Sequence, residues 1–185
     1  TDPSAEIISN PSQARLLNAA KLSGRTTGGL GIGVFNAIEG ETVAVVKDSA
    51  GVESTTITGP RSNYNVLVFD QSLKNNSFIT FTNTNVLREN AFNDANVTAV
   101  NFSFNDKPNV WAIEGGGAYS QKYTGVETAA NNGIYHYLSA GKSGGKRRFA
   151  VGYEYTGATY DNNDLGFLPI NNLLNFFANT SYHTY

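Results

Sequence analysis

The stretch 146–185 alternates apolar and polar side chains over a length that few soluble strands reach. Its first half sets Phe149, Val151, Tyr153 and Tyr155 against Arg148, Glu154 and Thr156, and its second half sets Leu174, Phe176, Ala178 and Tyr182 against Asn175, Asn179 and Ser181. At about 3.3 Å per residue, limbs of about 12 residues reach about 40 Å, enough for a tilted strand that crosses a bilayer. The alternation therefore predicts a membrane β-barrel.

The same period of two recurs upstream, and it assigns side chains to the two sides of a barrel wall. Apolar side chains of such a wall meet lipid and polar side chains line the interior. The predicted lipid-facing residues are Phe102, Phe104, Trp111, Ile113, Tyr119, Phe149, Val151, Tyr153, Tyr155, Leu174, Phe176 and Tyr182. The predicted lumen-facing residues are Asn101, Ser103, Glu114, Arg148, Glu154, Asn175 and Asn179. Trp111 and Tyr119 are placed near the two ends of their strand, as aromatic girdle residues would be.

The first third of the chain gives a less regular pattern. Residues 1–10 read as a leading loop, and residues 14–24 fit a short helix or a strand. The next strand favours β, with Leu30, Ile32, Val34 and Ile38 on one face and Gly31, Gly33 and Ala37 on the other. A face nearly bare of side chains lets another group pack closely or leaves space in a lumen. Residues 40–60 are predicted to make an excursion hairpin.

The remaining strands are separated by alternating short turns and long loops. Two strands, Asn63 to Leu73 and Ser77 to about Arg88, flank the turn LKNNS, and loops are expected at 90–96 and 124–132. In FITFTNTNV the faces stay ambiguous, because each side mixes apolar with polar residues: Phe78, Thr80, Thr82, Thr84 and Val86 on one, and Ile79, Phe81, Asn83 and Asn85 on the other. Short turns alternating with long loops are typical of bacterial barrels, with periplasmic turns and extracellular loops.

About nine strands can be counted, an odd number that does not close an even-stranded bacterial barrel. The polar residues that share a face with Tyr185 also indicate that this is not a closing strand. We therefore expect residues 1–185 to be a single β-barrel segment, incomplete at both ends, of a larger antiparallel up-and-down transmembrane barrel.

Composition narrows the classes of function. Net charge is −2 and charged residues make up 15% of the chain, against about 25% in an ordinary soluble domain. There is no basic field for nucleic acid. With no cysteine, disulfide and thiol chemistry are excluded.

Motifs for cofactors and catalysis are weak. GKSGGK at 141–146 lacks the glycine spacing of a phosphate loop. DNNDLG at 161–166 begins like a calcium loop, with oxygens at Asp161 and Asn163, but lacks the acidic twelfth residue. His136 and His183 have no nucleophile motif nearby, and Asp70, Glu114 and Glu154 fit a lumen balanced by Arg148 and Lys21. We expect no catalytic residues, cofactor or metal.

Four segments carry a resemblance to a known family: AAKLSGRTTGGLGIGVFNAI, SNYNVLVFDQSLKNNSFITFTNTNV, FNDANVTAVNFSF and ATYDNNDLGFLPINN. Over most of residues 14–185 the chain resembles the C-terminal barrel region of a Bacteroidota family of large outer-membrane proteins. In that family a carbohydrate-binding-module family 9-like domain precedes a β-barrel domain of unknown function. The resemblance implies location and architecture, with little chemistry.

These observations lead to one expectation and two alternatives. We expect a non-enzymatic outer-membrane barrel that acts as a pore, transport or docking component in glycan or protein handling. Its partners would be the lipid bilayer or lipopolysaccharide, other outer-membrane or surface proteins and glycan, but not nucleic acid. The alternatives are a soluble lectin-like β-sandwich, with strands of about 5–7 residues and buried apolar faces, and a polysaccharide-active enzyme.

Overall fold

The computed structural model describes residues 6–89, 93–124 and 130–184. In these ranges the only regular secondary structure of any length is the β-strand. The strands are β1 (Glu6–Ser9), β2 (Leu16–Arg25), β3 (Leu30–Glu39), β4 (Thr42–Lys47), β5 (Glu53–Gly59), β6 (Ser62–Ser72), β7 (Phe78–Arg88), β8 (Asp94–Asn105), β9 (Trp111–Tyr123), β10 (Ala130–Lys142), β11 (Arg147–Thr156) and β12 (Leu173–Tyr182). In these ranges no helix is long and apolar enough to cross a membrane.

All pairings are antiparallel, and they make two sheets. The main sheet has nine strands in the order β12-β11-β10-β9-β8-β7-β6-β3-β2, and the small sheet has the order β1-β4-β5. Within the described residues β2 and β12 pair on one side only, so the main sheet is open. The predicted all-β antiparallel fold is confirmed.

Short turns join the strands of the main sheet at one end, which we call the turn end. These turns span 26–29, 73–77, 106–110 and 143–146, and each holds a residue with positive φ, such as Gly29 (83°) or Asn109 (54°). Glycine and asparagine adopt this conformation more easily than other residues. The opposite end, which we call the loop end, carries the longer connections.

The small sheet prolongs one edge of the main sheet at the loop end. Its strands β1, β4 and β5 adjoin β2, β3 and β6 in the chain and occur in the same order. The predicted hairpin within 40–60 is confirmed as β4 and β5. Gly40 and Pro60 lie at the breaks, and proline cannot donate a backbone hydrogen bond.

Several predicted boundaries were wrong. Residues 6–9 are not loop, because they pair with β4. Of the two alternatives for 14–24, the strand that the sequence favours is the one observed, as β2. The expected loops at 90–96 and 124–132 lie partly outside the described residues, but β8 begins at Asp94 and β10 at Ala130. Tyr185 also lies outside the described residues. Polar residues at the end of a strand do not reveal in the sequence where the strand begins or stops, because the position of the boundary depends on the strand that pairs with it.

Register places each strand residue on one of two faces. We call the face that carries Phe102, Ile113 and Val151 the apolar face and the face that carries Ser103, Glu114 and Glu154 the polar face. Residues directly opposite across an antiparallel pair share a face. In FITFTNTNV, Phe81 pairs with Val100, so Ile79, Phe81, Asn83 and Asn85 lie on the apolar face.

Burial on the two faces is the reverse of that in a soluble sheet. Apart from glycines, the buried residues of the main sheet lie on the polar face and are no larger than valine: Ala37, Ser62, Val86, Ala95, Ser103, Ser120 and Thr156. On the apolar face large side chains are exposed, for example Val151 at 52% and Phe176 at 72%. Contiguous exposed apolar surface of this kind marks contact with lipid or another protein.

Candidate functional site

Residues 157–172, which join β11 to β12, fold over the polar face near the loop end, and we call them the docked loop. Tyr160 is its anchor, with 5% of its surface exposed. The Tyr160 ring stacks on that of Tyr135 in β10, with centroids 5.6 Å apart and planes at 29°. Burial raises the pKa of the Tyr160 phenol above its ordinary value.

Gly133 lets the loop approach the sheet. A Cβ at this position would lie 2.2 Å from the Cα of Tyr160 and 2.3 Å from its backbone nitrogen. No side chain fits in that space. Beside it, the Asp161 backbone N–H donates to Ser120 Oγ at 3.1 Å, and the Thr159 hydroxyl donates to the Asn132 carbonyl at 2.6 Å.

Two cations on the polar face hold the acidic part of the docked loop. Lys122 Nζ lies 2.9 Å from Asp161 Oδ2 and 3.8 Å from Asp164 Oδ2. Arg88 donates to Asp164 Oδ1 at 2.5 Å, and both side chains are 17% exposed. Removing one partner of so buried a pair leaves an uncompensated charge and costs about 3–5 kcal/mol.

The oxygens of the calcium-like motif are engaged within the protein. Asp161 Oδ1 accepts from the backbone N–H and the side-chain amide of Asn163, each at 3.0 Å. The Lys122 ammonium occupies the position beside Asp161 Oδ2 where a cation would bind. The backbone hydrogen bond from Asn163, helped by Lys122, holds the pKa of Asp161 below its ordinary value of 3.8, against the opposing effect of burial.

This lowered pKa predicts how docking depends on pH. Because the docked state favours the Asp161 carboxylate, its contribution is fully present above about pH 4 and is lost as pH falls through the lowered pKa. A fluorophore attached at Phe167→Cys, an exposed loop position, should keep a constant anisotropy from pH 7 to about pH 4 and lose it as pH falls further. With Asp161→Asn added, the loss below pH 4 should be smaller. A drop in anisotropy near neutral pH, in the labelled protein that keeps Asp161, would contradict this expectation.

The rest of the polar face is a network of hydroxyl, amide and charged groups. Tyr135 donates to Glu154 Oε1 at 2.9 Å, Tyr64 to Glu39 Oε2 at 3.2 Å and Tyr137 to Asn101 Oδ1 at 3.3 Å. Asp70 is bound by Arg25 and by the Thr80 hydroxyl, and not by Lys21 or Arg148 as predicted. The reason is that Gly31 leaves room for the Arg25 side chain, whose Nη2 would lie 3.0 Å from an added Cβ.

The predicted lumen-facing residues all occupy the polar face. Glu114, Arg148 and Asn179 meet at a concave region of about 250 Å³ near the turn end. Asn101 and Ser103 lie on β8, while Glu154 and Asn175 face each other across β11 and β12. Of this set, Glu154 and Asn101 bind tyrosines of the network.

The predicted lipid-facing residues all occupy the apolar face: Phe102, Phe104, Trp111, Ile113, Tyr119, Phe149, Val151, Tyr153, Tyr155, Leu174, Phe176 and Tyr182. Trp111 is the first residue of β9 and packs edge-on against Phe149, with centroids 5.7 Å apart. Tyr119 was wrongly placed near a strand end, because β9 continues to Tyr123. His136 is on this face too, 5.1 Å from the Tyr155 ring.

Comparison with known proteins identifies the family of this chain but does not indicate an activity. A family model described as a domain of unknown function (DUF5916) matches residues 1–185. The chain belongs to this family. No curated protein and no solved structure matches it.

Sequence reasoning missed most of the groups that hold the docked loop. Arg88, Lys122 and Gly133 were not singled out, and Asp164 was considered only as part of a metal motif. The ion pair of Arg88 with Asp164 joins residues 76 positions apart, so no local pattern reveals it. A signal was available for Lys122 alone, since the period of two in β9 places it on the same face as Glu114.

Proposed function

We propose that this chain forms part of the wall of an outer-membrane β-barrel that acts without catalysis, and that its interior passes or docks polar solutes such as glycans. One observation supports this most: large apolar side chains are exposed on one face, and the side chains buried on the other are uncharged and no larger than valine. A barrel wall in a bilayer requires this inversion, whereas a soluble sheet has the opposite one.

Strand length and backbone pairing support the same proposal. The strands of the main sheet have 10–13 residues, or about 33–43 Å at about 3.3 Å per residue. A soluble sandwich typically uses strands of about 5–6 residues and covers its apolar faces with a second sheet. In hydrocarbon every backbone group must be paired, so the edges β2 and β12 would pair with further strands there.

The docked loop gives the proposed interior a constriction. It brings Asp161 and Asp164 to Lys122 and Arg88 on the polar face, where a passing solute would meet fixed charges of both signs. The tyrosines of the network offer flat faces and hydroxyls, which suit sugars better than ions. Neutral saccharides are therefore the solute class that we propose.

Liposome swelling tests this function. Vesicles that contain the full natural protein should swell faster in solutions of small neutral sugars than vesicles without protein. Substituting Arg88→Ala and Lys122→Ala together should free the loop and admit larger sugars. Swelling no faster than that of empty vesicles, with the protein inserted, would contradict solute passage.

A further inference from the structure

A row of side-chain amides crosses the apolar face near the loop end. Directly opposite positions on six adjacent strands, β3, β6, β7, β8, β9 and β10, all carry a carboxamide. We call them the amide row: Asn36, Asn65, Asn85, Asn96, Gln121 and Asn132. On the turn-end side of the row the same face is largely aliphatic and aromatic, so the row is an abrupt change in the chemistry of this surface.

Hydrogen bonds join three pairs of neighbouring amides in the row. On one side of the row, the Asn36 amide donates to Asn65 Oδ1 at 2.8 Å, and the Asn65 amide donates to Asn85 Oδ1 at 3.4 Å. On the other side, the Asn96 amide donates to Gln121 Oε1 at 3.2 Å and accepts from the Asn83 amide at 2.9 Å. These bonds hold the side chains of Asn36, Asn65, Asn85, Asn96 and Gln121 against their neighbours.

Hydrogen-bonding capacity is left unused in the row, although the Asn36 amide also donates to Asn63 Oδ1 at 2.6 Å. A carboxamide has two N–H donors and two acceptor lone pairs, and Asn65 uses one donor towards Asn85 and one acceptor position towards Asn36. The side chains of the row are half-buried or exposed. Unpaired amide groups in hydrocarbon are costly, so this part of the face must meet water or a partner that both donates and accepts hydrogen bonds.

Charge and aromatic neighbours specify that partner. On the apolar face of the described strands, the positions flanking the row hold no lysine or arginine, and their one charged residue, Asp94, accepts from the Arg88 backbone N–H at 2.6 Å. Phosphate is thus poorly matched. Tyr119 and Tyr123, on either side of Gln121 in β9, are 40% and 38% exposed. Exposed tyrosine rings beside neutral amides match the flat faces and hydroxyls of sugar rings.

We propose that the amide row binds the sugar headgroups of glycolipids in the membrane leaflet at the loop end. The proposal rests on the membrane location put forward above and adds to it the identity of the lipid. The row would lie where hydrocarbon gives way to headgroups, with its ordered amides bonding sugar hydroxyls.

The test measures the midpoint of thermal unfolding of the full natural protein in vesicles of three compositions. They are phosphatidylcholine alone, phosphatidylcholine with a monoglucosyl diacylglycerol, and phosphatidylcholine with phosphatidic acid. The variant is Asn65→Leu with Asn96→Leu, and its matched control is Asn175→Leu with Asn179→Leu on the polar face. We expect the glucolipid to raise the midpoint of wild type and control by about 4 °C, and to leave the row variant unchanged.

The outcomes separate this proposal from the proposed function. An equal or larger rise with phosphatidic acid would overturn the choice of sugar, and an undiminished rise in the row variant would overturn the choice of site. Insertion without any glucolipid effect would overturn the headgroup proposal alone. Failure to insert into all three compositions would overturn the membrane location and the headgroup proposal with it. Should the row variant fold poorly, Asn65→Gln with Asn96→Gln should retain the effect.

Discussion

Replacing Gly133 by alanine should release the docked loop from the polar face. The added Cβ would lie 2.2 Å from the Cα of Tyr160, and backbone at such a distance cannot move aside as a flexible side chain can. Overpacking costs about 1–3 kcal/mol, and at the upper end of that range the population with a released loop grows about 100-fold. Limited proteolysis within residues 161–171 should accelerate by a similar factor.

Gly24→Ala is the matched control for this substitution. Gly24 also lies within a strand, but an added Cβ would meet nothing within 4 Å. Proteolysis should cleave the docked loop of Gly24→Ala at the wild-type rate. Equal cleavage rates for Gly133→Ala and wild type would show that the contact between Gly133 and Tyr160 does not hold the loop.

A charge on the apolar face should strongly disfavour folding into a bilayer. Val100 lies on this face with 38% of its surface exposed, opposite Phe81 in β7 and Gly117 in β9. An arginine near the bilayer midplane costs about 2–4 kcal/mol, so Val100→Arg should lower the folding equilibrium into vesicles about 100-fold. Urea titrations of folding into vesicles measure this quantity.

The control for Val100→Arg is the neighbouring substitution Ala99→Arg. Ala99 lies on the polar face between Thr82 and Ala118, where an arginine would extend into the proposed interior. Its folding equilibrium should change much less than that of Val100→Arg. Equal losses at the two positions would contradict a difference in environment between the faces.

The division of residues between the faces was predictable wherever the period of two was unbroken. In β11 and β12 the register runs without a bulge from Arg147 opposite Tyr182 to Thr156 opposite Leu173, so odd and even positions keep their faces. In β2 the run LLNAAKL has apolar residues at both odd and even positions, which is why residues 14–24 also fitted a helix. For FITFTNTNV only the pairing of Phe81 with Val100 and Phe69 assigns the faces.

The functional site was less predictable because it depends on distant pairings. The docked loop reads as a run of turn-forming residues, and nothing in DNNDLG indicates that its aspartates reach Lys122 and Arg88. The amide row is also invisible along the chain. Asn36 and Gln121, for example, become members of one row only after the register of the intervening strands is known.

The most direct test of the barrel-wall proposal is a nitroxide scan along β11 in the membrane-inserted protein. Because this chain has no cysteine, spin labels can be attached through one introduced cysteine at a time. Oxygen, which dissolves in lipid, should accelerate the spin relaxation of labels at Phe149, Val151, Tyr153 and Tyr155. A water-soluble nickel chelate should accelerate that of labels at Arg148, Ala150 and Glu154. Labels at the first four positions that respond to neither reagent would place them in a dry protein interior and contradict the assignment of the apolar face to lipid.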